Sequence, residues 1–97
     1  MAKGYRLLGF RLRTHEAEID ILAVRHGIVA VVEIKRRRTL DEALEAVSFT
    51  QRRRLLAAAR GLAARRPDLA LAPVRLDLMT LAPGRWPRHI ADAWGEL

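Results

Sequence analysis

The sequence predicts an α/β domain on a mixed sheet of about four strands: a β-meander, a crossover helix and a further strand. Three observations carry this. Three runs of alternating or β-branched apolar residues fill positions 5–35, and such runs separated by turn residues read as strands. A helical pattern follows, with capping residues before it and Pro67 behind it. The run `APVRLDLMTL` then reads as another strand. A strand reached through a helix returns parallel to its neighbour in the same sheet.

Each element has a local reason. In `YRLLGFRLR`, Leu8, Phe10 and Leu12 alternate with Gly9, Arg11 and Arg13, the pattern of a strand with one wet face. `EIDILAV` and `IVAVVEIK` flank `RHG`, where His26-Gly27 suits a two-residue turn with glycine at positive φ. `TLDEALEAV` predicts a short helix with Thr39 as N-cap, Asp41 and Glu42 in the first turn, and a Thr39–Glu42 capping box. `QRRRLLAAARGLAARR` predicts a longer helix capped by Ser48 or Thr50, with Leu55, Ala59 and Leu62 as its apolar stripe. Arg65 and Arg66 suit its C-terminal end, and Pro67 stops it. `PGRW` reads as a turn, and `PRHIADAWGEL` as a short tail with Ile90 and Trp94 on one side.

Composition narrows the class. The chain of 97 residues is expected to be a single domain, 1–97, and 51% hydrophobic residues are enough to fold it. It has no apolar run of about 18 residues for a membrane span. `MAKGYRLLGF` lacks the apolar core of a signal peptide. The absence of cysteine excludes disulfides, thiolate metal sites and cysteine nucleophiles. A cytoplasmic location is therefore expected. The net charge is +7 with a pI near 11.4. Arginine grips phosphate with a planar fork, so the expected partner is a nucleic acid.

The hairpin register points to chemistry. If His26 and Gly27 form the loop, Arg25 opposes Ile28, Val24 opposes Val29, and Leu22 opposes Val31. Continued outward, Asp20 opposes Glu33 and Glu18 opposes Lys35, all on one face. The other face, with Ile19, Ile21, Ala23, Ile28, Ala30, Val32 and Ile34, is wholly apolar. Opposed carboxylates repel each other, and burial raises the cost. Lys35 offsets one charge, and Mg²⁺ or Mn²⁺ would offset the rest, since hard cations suit carboxylate oxygens. Beside a metal, Lys35 would orient or deprotonate an attacking water, or neutralise phosphate. Arg36, Arg37 and Arg38 beyond the strand, and Arg52, Arg53 and Arg54 on the helix, are candidate phosphate contacts. Ordinary surface ion pairs, such as Glu18 with Lys35, are the competing explanation.

Asp20 followed by Glu33-x-Lys35 resembles the PD-(D/E)XK, restriction-endonuclease-like nuclease core. More closely, the chain resembles the YraN family of bacterial proteins, related to archaeal Holliday-junction resolvases. `KGYRLL`, `EIDILAV`, `VVEIKRR` with Arg37 in K-x-R, `EAVSFTQRRRLLAAA`, `VRLDLMTL` and `HIADAW` carry the resemblance across most of the chain. It implies catalytic roles for Asp20, Glu33 and Lys35, with Asp20 and Glu33 on Mg²⁺ or Mn²⁺, and DNA, including branched DNA, as substrate. Three features depart from the family pattern: the first family helix is missing before `KGY`, Ala17 stands for a glycine, and Gln51 stands for a lysine. The missing helix is expected to leave an apolar sheet face thinly covered, with a second copy or a partner as one way to cover it.

Glu18, Gln51 and His15 are accessory site candidates. His26 reads as a turn residue, and His89 as docking the C-terminus. Trp86 and Trp94 are candidates for base stacking, with core packing favoured for Trp94. Asp77, flanked by Leu76 and Leu78, is expected to pair with an arginine. The leading function is thus a metal-dependent endonuclease acting on DNA. The competing functions are an inactive nucleic-acid-binding protein of the same fold and a protein-interaction subunit.

Overall fold

The computed structural model describes residues 4–96, so Lys3 of the `KGYRLL` segment and the terminal Leu97 lie outside the described residues. The chain forms β1 (Arg6–Arg13), β2 (Glu18–Arg25), β3 (Ile28–Arg36), α1 (Leu40–Glu45), α2 (Phe49–Ala64), β4 (Val74–Leu81) and β5 (Arg88–Ile90). The strands make one sheet in the order β1-β2-β3-β4-β5. β3 and β4 are parallel and all other neighbours antiparallel. The meander, the helical crossover and the parallel return strand agree with the sequence. No helix among the described residues is long and apolar enough to cross a membrane.

The sheet has one strand more than expected. β5 comes from the segment read as a tail and pairs through Leu78↔Ile90, Met79↔His89 and Thr80↔Arg88. Three residues behind Pro87 are too few to show an alternating pattern, so this edge strand is specified by its tertiary partners.

The β2–β3 hairpin turns through His26 at φ 51° and Gly27 at φ 73°, the double positive-φ geometry of a tight hairpin turn. Its pairs run Arg25↔Ile28, Val24↔Val29, Ala23↔Ala30, Leu22↔Val31 and Ile21↔Val32, in the predicted register. α2 is capped by Ser48: its Oγ accepts from the Gln51 N–H at 3.1 Å, and Gln51 Oε1 accepts from the Ser48 N–H at 3.4 Å. α2 buries Leu55, Leu56, Ala58, Ala59 and Ala63 against a sheet face made of Leu22, Val24, Val29, Val31, Val74 and Leu76.

Strict alternation fails at one place. Ile19 was expected on the opposite face, yet it belongs to the helix-side core, where Leu12 packs as well. The β1–β2 ladder pairs Phe10↔Ile21 and Leu12↔Ile19 but not the intervening Arg11 and Asp20. Arg11 sits at φ 50°, a conformation that costs an ordinary residue about 1–2 kcal/mol. The chain twists there, and Ile19 and Leu12 turn inward together.

The face away from the helices is divided. Over β4 it is polar: Asp77, 0% exposed, is gripped by Arg75 at 2.7 and 2.9 Å, by His89 at 2.8 Å and by the Asp92 N–H at 3.0 Å. Asp77 thus pairs with an arginine, as expected, and His89 docks the C-terminal segment. Over β1 the same face is apolar and open, with Leu7 57% and Phe10 63% exposed.

Candidate active site

The site forms where β2 and β3 part. Their paired register ends at Ile21↔Val32. Beyond it, β2 stays paired to β1 through Leu12↔Ile19, and β3 stays paired to β4 through Glu33↔Leu78 and Lys35↔Thr80. The Ile34 N–H, left without a carbonyl across the gap, donates to Asp20 Oδ2 at 2.8 Å. The carboxylate replaces a rung of the ladder and is fixed in the fork. The strained Arg11 lies in the same break, and strain of this kind gathers at functional positions.

Glu33 continues the row of Val29 and Val31 on the helix-covered face of β3. It is only 7% exposed. Burial pushes its carboxyl up from 4.5 to about 8, and hydrogen bonding to and repulsion by Asp20 add to this; Lys35 pulls weakly the other way. Asp20 and Glu33 are therefore neighbours, as the register implied. Lys35, two residues further along the same face, acts on Glu33 through space.

The unfolded chain releases a proton at about 4.5 that folded Glu33 holds until about 8. In that interval the native state binds more protons, so stability falls as pH rises. The urea midpoint of metal-free protein is expected to drop between about pH 5 and about pH 8 and then level off. Glu33→Gln should lose most of that drop. A parent midpoint that stays level would show that Glu33 is not held protonated.

Other candidates fall elsewhere. Glu18 does not face Lys35; it lies 4.0 Å from Arg13 Nε at the rim of the sheet. His15 is exposed in the β1–β2 turn. Among the described residues no three His, Cys, Asp or Glu side chains gather as metal ligands, so neither joins the Asp20–Glu33 pair. Gln51 is occupied as the reciprocal half of the Ser48 cap. Arg36, Arg37, Arg38, Arg53 and Arg54 are exposed.

Arg52 departs from its expected role. Its guanidinium donates to Val47 O at 2.9 Å and Glu96 Oε1 at 3.2 Å, and stacks 5.4 Å from the Trp94 ring centroid. It pins the C-terminal turn to α2 and is not a free phosphate contact. Trp94 likewise is structural, its Nε1–H donating to Leu44 O at 3.2 Å.

Fold and site define a mixed-sheet α/β protein with a carboxylate pair and a lysine in a strand fork, beside exposed arginines. The chain belongs to the uncharacterised protein family UPF0102, which it matches over residues 1–81. It is 60% identical over 95 residues to a UPF0102 protein of Caulobacter vibrioides, covering 98% of this chain and 76% of that one. A UPF0102 protein of Chelativorans sp. is 49% identical over 92 residues, covering 95% of this chain and 74% of its own. One from Sinorhizobium medicae is 45% identical over 92 residues, covering 95% and 75%. Those names state no activity, so the chemistry rests on the site.

Proposed function

We propose that this chain is a metal-dependent endonuclease of the restriction-endonuclease-like type that hydrolyses phosphodiester bonds in DNA, with branched or otherwise structured DNA as its substrate. The observation that carries the reading is the Asp20–Glu33 pair at the strand fork, Glu33 buried and Asp20 half-buried, with Lys35 on the same face. Two adjacent carboxylates, one of them driven towards protonation, match a divalent cation better than they match each other. Two protein ligands suit Mg²⁺ or Mn²⁺, which commonly keeps waters and substrate phosphate for its other positions.

Asp20 and Glu33 would hold the cation. When bound, it would supply charge stabilisation at phosphorus and a more acidic water. Asp20 is already oriented by the Ile34 N–H, so little side-chain freedom remains to be lost. Lys35 stands where it can orient the attacking water and balance charge on the phosphate. The water oxygen bonds to phosphorus and one bridging P–O bond breaks, leaving a phosphate end and a hydroxyl end. Exposed Arg36, Arg53 and Arg54 and the net charge of +7 favour the DNA backbone at low salt.

The test is incubation of labelled four-way junction, flap, duplex and single-stranded DNA with Mg²⁺, Mn²⁺ or chelator. Cleavage of the branched substrates with metal, and none with chelator, is the expected result. Salt-sensitive binding without product under any metal would replace the nuclease with a binding protein of the same fold.

A further inference from the structure

A second constellation sits at the far end of β3. Its last pair with β4 is Arg36↔Leu81, and the Arg37 N–H donates to Leu81 O at 3.2 Å. β4 then turns through Ala82–Arg85, with Pro83 leading, Gly84 at φ 69° and the Arg85 N–H donating to Ala82 O at 3.2 Å. Proline followed by a positive-φ glycine is the type II turn pattern. The turn delivers Arg85 and Trp86, and Pro87 stiffens the chain before β5. Between this turn and the β3 end lies a groove of about 530 Å³ whose lining includes Arg37, Arg38, Arg85, Trp86 and Arg88.

Two properties of this groove are unexplained by folding. Trp86 is 91% exposed, and among the described residues it takes part in no hydrogen bond, ring contact or cation–π pair. The four arginines make no ion pair among the described residues, and no carboxylate lines the groove. Four unneutralised guanidiniums repel one another until an anion arrives. A free aromatic face framed by cations is the chemistry of single-strand recognition: bases stack on the ring and phosphates meet the charges. A stacked duplex cannot offer the face of a base to such a ring.

We propose that this groove is a subsite for an unpaired nucleotide of a DNA strand, its base on Trp86 and its flanking phosphates on Arg37, Arg38, Arg85 and Arg88. Its place in catalysis rests on the nuclease reading. Arg37 lies four residues beyond Glu33, one residue past the end of β3, about 13 Å at a strand's rise. A strand crossing the carboxylate pair would reach the groove within a few nucleotides. The preferred substrate is then DNA with unpaired bases next to the cleaved bond, such as a flap.

Binding in the presence of chelator tests this without any cutting. Labelled oligothymidylate and a blunt duplex of equal length are titrated with parent, Trp86→Ala and Trp86→Phe protein. Single-strand affinity should fall about 5- to 100-fold in Trp86→Ala, the range of one lost base stack, and largely recover in Trp86→Phe. Duplex affinity should not change. Oligothymidylate should quench the parent's tryptophan fluorescence, whereas polyglutamate, a polyanion without bases, should not. Unchanged single-strand affinity in Trp86→Ala, or an absence of quenching, overturns the subsite. Trp86 is exposed and packs on no core residue, so its removal leaves the fold intact, and an unchanged circular dichroism spectrum checks this. Trp86-dependent binding without cleavage under metal would sink the nuclease reading alone. Cleavage with Trp86-independent binding would sink the subsite alone.

Discussion

Lys35→Ala is expected to lower metal-dependent DNA cleavage by about 10²- to 10⁴-fold, the range for losing a positioned proton-transfer group. The fold should barely notice. Lys35 is half-buried at the outer end of β3, and its strand pairing with Thr80 is a backbone matter. Asp20→Asn should be as damaging to activity for a different reason. The asparagine oxygen can still accept the Ile34 N–H, as Asp20 Oδ2 does at 2.8 Å, but the negative charge that would hold the cation is gone. Single-turnover cleavage and thermal melts of both variants separate chemistry from stability. If both cut as fast as the parent, Asp20, Glu33 and Lys35 are not the catalytic set.

Asp77→Ala should destabilise the protein by about 3–5 kcal/mol, the usual cost of removing one partner from a buried ion pair. That is a large part of the roughly 5–15 kcal/mol that holds a domain together. Asp77 satisfies Arg75 through two bonds, His89 through one and the Asp92 N–H through another. Arg75 also reaches the Tyr5 hydroxyl at 2.6 Å, so the start of the chain is tied into the same network. Removing the carboxylate leaves the Arg75 charge among β-sheet neighbours and frees β5 at once. Urea unfolding should show a lower midpoint, and the β5 amides should exchange with solvent early. A loss below about 1 kcal/mol would mean that the network is no more than a surface ion pair.

Much of the fold was legible because local chemistry and global topology agree. His26-Gly27 set the hairpin register as far as Ile21↔Val32. Extending it one rung pointed to Asp20 beside Glu33, where the contact is completed by the Asp20 carboxylate bonding to the Ile34 N–H. The apolar stripe, Ser48 and Pro67 delimited α2 within a residue or two. What escaped the sequence depends on distant partners or on broken regularity. The twist at Arg11 moved Ile19 to the helix side, and no pattern of period two can announce its own interruption. Arg52 looked like one of three equivalent arginines on a helix. Its partner, Glu96, is 44 residues away, beyond the reach of helical spacing. Glu18 failed to join the site because the paired register stops at Ile21↔Val32, before its rung.

The rung taken over by Asp20 couples two tasks in one side chain. Its length sets the width of the fork, and its charge sets what the fork can hold. These tasks respond to different substitutions. Glutamate keeps the charge but adds a methylene, which either breaks the bond to Ile34 or wedges the strands apart. Asparagine keeps the width and discards the charge. The position is thus a gauge as well as a proposed ligand: charge alone cannot substitute for aspartate there, because the sheet itself measures the residue.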